Sequence, residues 1–168
     1  MPNEIINRVA NSKLITLNLE DYYPEGKRVL FDIKDWLFEG FVLREKEFRQ
    51  KASEYDWSQY QDNYVALTCS TDAIVPAWAF MLLSIHLQPF TKKTIIGNLE
   101  ALETSIYQDV INTLDVSEYA DKPIIIKGCS NKPVPQNAYI MLATKLKLVA
   151  KSIMYGEACS SVPLYKKK

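Results

Sequence analysis

Every cysteine in this chain is followed by serine, and a Val-Pro pair comes shortly after. The copies are Cys69-Ser70 with Val75-Pro76, Cys129-Ser130 with Val134-Pro135, and Cys159-Ser160 with Val162-Pro163. No other Val-Pro pair occurs. Thiolate is the form of cysteine that binds metal or attacks an electrophile, and a helix N-terminus stabilises it. Three cysteines converging on one point suit zinc with a fourth ligand, or an iron–sulfur cluster with one non-cysteine position. Asp72, three residues after Cys69, and Glu157, two before Cys159, are the candidate fourth ligands, with water or substrate as the alternative. The spacing lacks the local CxxC pairs of a strong zinc signature. Two other readings stay open. Cysteine packs well as a small buried hydrophobe, which would make this a structural or interaction protein without active chemistry. One cysteine could instead serve in thiol-redox chemistry. The only histidine, His86, falls late in a helix and is read as an ordinary helix-end residue.

These residues need elements to position them. Residues 14–19 alternate apolar and polar, as in a half-buried strand. Residues 28–33 and 36–43 read as two strands around a turn at Lys34-Asp35, the second interrupted by Gly40; together they predict an N-terminal antiparallel hairpin. Residues 44–53 read as a helix with Phe48 and Ala52 on one face. From Tyr64 the rhythm becomes strand, turn, helix. A strand over 64–68 ends at Cys69, and a helix over 76–87, apolar nearly all round, reads as buried. A strand over 94–96 leads to Asn98, which can cap the next helix. A strand over 124–126 ends at Gly128-Cys129, and Pro135 opens a helix predicted to run to about Met154. The stretch 65–80 resembles 125–139: strand, Cys-Ser, short loop, then Pro-x-x-Ala-aromatic. The aromatic stretch 55–64 reads as a surface loop anchored to the core, with binding of a partner or sugar, or a homodimer interface, as alternatives.

Alternation of strands and helices predicts an α/β fold. The expected form is a single domain over 1–168 with a mixed, largely parallel sheet flanked by helices. Cys69 and Cys129 would then lie at carboxyl ends of strands, where such sheets bind ligands.

Composition narrows the classes. The chain has 168 residues, 48% of them hydrophobic, with 20 Lys plus Arg against 20 Asp plus Glu. Zero formal charge argues against nucleic acid as a partner. No apolar stretch reaches the length of a membrane span, and Met1-Pro2-Asn3-Glu4 does not open a signal peptide. An odd cysteine count without close pairs points to a reducing cytoplasm rather than a disulfide framework. Neither GxGxxG, a P-loop, GxSxG nor HExxH is present, so no substrate or cofactor beyond the metal is indicated.

Three stretches carry a family resemblance: residues 21–26 with 31–35, Leu43-Arg44-Glu45-Lys46-Glu47-Phe48-Arg49, and residues 151–160 around Met154-Tyr155-Gly156-Glu157. On these the chain resembles the bacterial family known as domain of unknown function 2480. The resemblance implies a stand-alone bacterial protein; it carries over no activity and no catalytic residue. The leading expectation is thus a metal-binding protein using Cys69, Cys129 and Cys159.

Overall fold

A computed structural model describes residues 13–128 and 130–168. The chain divides into two compact units. One is Pro24–Ile106; the other joins the described residues up to Tyr23 with Tyr107–Lys168, so the first unit is inserted into the second in sequence.

The inserted unit holds a three-stranded parallel sheet. Its strands are β2 (Arg28–Asp32), β3 (Tyr64–Thr68) and β4 (Lys93–Ile96), in the order β2-β3-β4. Helix α1 (Glu45–Glu54) connects β2 to β3, and α2 (Ala77–Leu87) connects β3 to β4. Parallel neighbours need such crossovers. The core joins Phe31, Phe48, Ala52, Trp57, Val65, Leu67, Ala79, Leu83 and Leu87. The other face of the sheet, Tyr64 and Ala66, packs on Leu102 and Ile106 of helix α3 (Leu99–Thr113). Asn98 caps α3, accepting from the Ala101 amide at 2.8 Å. Across that side Arg28 Nε donates to Glu103 Oε1 at 2.6 Å, and its Nη1 reaches the carbonyls of Pro24 and Gly26.

The second unit repeats this plan. Its strands β1 (Ile15–Leu17), β5 (Pro123–Ile126) and β6 (Ser152–Glu157) are parallel, and helix α4 (Gln136–Lys147) connects β5 to β6. An added strand, β7 (Ser160–Lys166), pairs antiparallel with β6, giving the order β1-β5-β6-β7. Pro163 fits β7 because an edge strand tolerates a missing N–H.

The two units match residue for residue at a constant shift of 59 positions (Asp56 to Asp115), from Phe48–Gly97 to Tyr107–Gly156. Asp56 and Asp115 each accept from an amide two residues on, that of Ser58 or Ser117. Ala79, Leu83 and Leu87 of α2 correspond to Ala138, Leu142 and Leu146 of α4, all fully buried. Gly97, just after β4, and Gly156, next to last in β6, both have positive φ. β1 and β2 match likewise, since Asn18 and Asp32 each accept from the amide two residues beyond.

Two expectations need correction. The antiparallel hairpin lies at the C-terminus, between β6 and β7, not at the N-terminus. Residues 36–43 are no strand: after a 3-10 turn, Phe38 and Val42 form one bridge around Glu39 and Gly40, whose φ values are 51° and 77°. Two consecutive positive φ angles close a tight turn rather than extend a strand. Second, α4 stops at Lys147 and the chain re-forms as β6. Pro89 marks the end of α2, but Leu148 stands at its counterpart, so nothing in the sequence punctuates the end of α4.

Candidate functional site

The structure places the expected site residues apart in kind. Cys69 follows β3, half-buried, with Sγ 3.3 Å from Thr71 Oγ1. Cys159 is exposed in the β6–β7 turn rather than after a helix. Asp72 and Glu157 are both exposed. Cys129 lies outside the described residues. Among the described residues no group of three or more His, Cys, Asp or Glu could hold a metal ion. This overturns the three-cysteine metal site. The repeat gives the physical reason: at the 59-residue shift Cys69 corresponds to Gly128, and Cys129 to Ser70. The Cys-Ser pairs are one position out of register, so they are not copies of one feature.

At the carboxyl end of β2 the polar groups close the loop on itself. Asp32 Oδ1 accepts from the amides of Ser70 and Lys34, at 3.1 and 3.0 Å. Slight burial raises the Asp32 pKa, but the hydrogen bonds from Ser70 and Lys34 outweigh it and hold the carboxyl below its ordinary range. Thr71 Oγ1 donates to the Gly40 carbonyl at 2.6 Å, tying the 38–42 turn to the loop before α2. His86 stacks on Trp57 with ring centres 5.5 Å apart. Its counterpart Lys145 donates to the carbonyls of Ile111, Asn112 and Leu114 at the end of α3. Both residues dock the second helix of their unit.

Among the described residues, the outer face of α2 stays exposed. Pro76 precedes the helix in extended conformation, and Ala79, Leu83 and Leu87 turn inward. That phase leaves Ala77, Met81 and Ile85 outward, one ridge at four-residue spacing. Met81 is 62% exposed, Ile85 69%, and Ile74 in the preceding loop 93%. Phe38, Phe41 and Val42 on the linked turn are also exposed. Only Ser84 and His86 of α2 are polar. A helix apolar on every side is normally buried on every side.

The second unit supplies the comparison. The α4 positions matching Ala77, Met81 and Ile85 are Gln136, Ile140 and Thr144, all exposed. The same module, with the same helix phase, therefore carries a mostly polar outer face in one unit and an apolar one in the other. Sequence reading placed α2 in the interior because it lacks charge; the alignment on α4 is the signal that separates its inner and outer faces.

A family model described as protein of unknown function (DUF2480) matches residues 3–167. The chain belongs to this family. No curated protein and no solved structure matches it. No helix among the described residues is long and apolar enough to cross a membrane. The family match thus carries no assigned chemistry to the α2 face, whose reading rests on its own geometry.

Proposed function

We propose that this family member works by binding another protein through the outer face of α2 and the adjoining 38–42 turn. The observation that carries the reading is the contrast of Ala77 and Ile85 with their counterparts Gln136 and Thr144, on either side of an exposed apolar residue present in both helices, Met81 and Ile140. Leaving large apolar side chains in water forgoes about 1.5–3 kcal/mol for each that could be buried. Exposed apolar side chains gathered along one helix ridge in this way mark an interaction surface. The reading assigns no reaction to the chain.

Oxidation of Met81 in intact cells tests it, because sulfoxide forms where the thioether is accessible. In the wild-type chain Met81 is shielded by its partner. Ile85→Lys weakens that contact, so Met81 oxidises several-fold faster in this variant. Equal, rapid oxidation in both chains contradicts the reading.

A further inference from the structure

We infer that the partner on the α2 face is a second copy of this chain, docked with the two α2 helices antiparallel about a two-fold axis at Met81. The inference rests on the protein-binding reading above and names its occupant.

The ridge itself argues for self-pairing. In a two-fold contact each residue meets a symmetry-related one, so the surface must complement itself. An axis at Met81 sets small Ala77 of one copy against large Ile85 of the other, twice, with the two Met81 side chains between them. Residues four apart form the ridges of the commonest class of helix–helix packing, with axes crossing near −50°. Methionine adapts its shape to a self-contact better than a branched residue does.

Charge permits the arrangement. Helix α2 carries no Asp, Glu, Lys or Arg, so no like charges face each other across the axis. In antiparallel docking the two helix dipoles also oppose.

The exposed area is of the right order. Phe38, Phe41, Val42, Ile74, Met81 and Ile85 are between 40% and 93% exposed. Together they offer at most several hundred Å², the order of the share of about 800 Å² that each partner buries in a standard stable interface.

Sedimentation of the purified full chain over a roughly hundred-fold concentration range tests the inference. It predicts a species of twice the 19.3 kDa chain mass. Met81→Lys combined with Ile85→Lys returns the single-chain mass, whereas Ile140→Lys on α4 leaves the dimer intact. Register is read separately by cross-linking, in a background of Cys69→Ser, Cys129→Ser and Cys159→Ser. There Met81→Cys forms a disulfide between two copies. Ala77→Cys does so only when mixed with Ile85→Cys chains. A single-chain mass at every concentration, with Met81 still shielded in cells, overturns the second copy and leaves the protein-binding reading standing. A single-chain mass with Met81 freely oxidised in cells overturns both. A dimer unaffected by the α2 substitutions, or one that does not cross-link at position 81, also overturns the inference.

Discussion

Asp62 and Asp121 hold one position in two copies of the same module. Both adopt left-handed backbone, with φ of 60° and 54°. The Asp62 amide donates to the Phe90 carbonyl at 2.8 Å, and the Asp121 amide to the Val149 carbonyl at 2.9 Å. Aspartate tolerates this region better than most residues because its short side chain bonds locally. Each therefore turns the chain out of a 3-10 segment into an inner strand of its sheet.

The paired glycines give a stability prediction. A Cβ on Gly156 would sit 2.8 Å from the Ser160 carbonyl oxygen, and one on Gly97 3.0 Å from the Ala101 Cβ. Both have φ that L side chains rarely adopt, +118° and +149°. Gly97→Ala and Gly156→Ala each cost on the order of 1–3 kcal/mol. Gly156→Ala costs more, because a backbone oxygen in a paired hairpin cannot yield. Denaturant titration reads the difference; a neutral Gly156→Ala contradicts the register assigned to β6 and β7.

The Arg28–Glu103 pair gives a second. Both side chains are nearly inaccessible, and their closest atoms are 2.6 Å apart. Removing one partner of a buried pair leaves the other charge uncompensated, at about 3–5 kcal/mol. Glu103→Ala is expected to fall at the low end, since the Pro24 and Gly26 carbonyls still accept from Arg28. A loss below about 1 kcal/mol, the scale of an exposed pair, shows that the pair is solvated.

A pH dependence follows from another repeated pair. Burial, and then the hydroxyl of Tyr55, pushes the Tyr60 phenol above its ordinary value. Its counterpart Tyr119 is raised in the same way by burial and by Tyr22. Folding thus favours the neutral phenols. That contribution is complete below the unfolded pKa of about 10 and is lost as pH rises above it. Stability declines on the alkaline side of about pH 10, and Tyr60→Phe with Tyr119→Phe flattens the decline. Thermal melts across that range check it; an unchanged slope in the double variant contradicts it.

Thiol exposure gives a further prediction. Cys159 is exposed in a hairpin turn and Cys69 is half-buried beside Thr71. Alkylation in the native state modifies Cys159 first, by roughly tenfold or more in rate. Mass spectrometry of tryptic peptides reads the order, and faster modification of Cys69 would restore the case for a reactive thiol at the end of β3.

Much of the fold was legible in the sequence where local signals were strong. Strands β2, β3 and β5 fall where apolar runs meet turn residues, and Asn98 caps α3. The anchoring of Trp57, Tyr60 and Tyr64 in the core also follows from their residue types. The end of α4 was not legible, because a strand of Ile153, Met154 and Tyr155 also satisfies helical spacing when no proline interrupts it. The repeat was visible but read out of register. Matching Cys69 to Cys129 shifts the comparison by one residue, whereas Val75-Pro76, Ala79, Leu83, Leu87 and Gly97 all require the 59-residue spacing. Core packing and left-handed turns constrain those positions; nothing constrains the cysteines to match. The α2 face was hidden for a related reason. Hydrophobicity alone does not distinguish a helix buried by its own chain from one buried by another.

The most direct measurement compares α2 with α4 in the same sample. Met81 and Ile140 are equally exposed in the isolated chain, at 62% and 65%. Photoactivated carbene labelling of intact cells, read by mass spectrometry, marks accessible side chains on both helices. The account predicts several-fold weaker labelling at Met81 and Ile85 than at Ile140. Equal labelling of the two helices would contradict it, because the apolar face of α2 would then be open to water where the protein works.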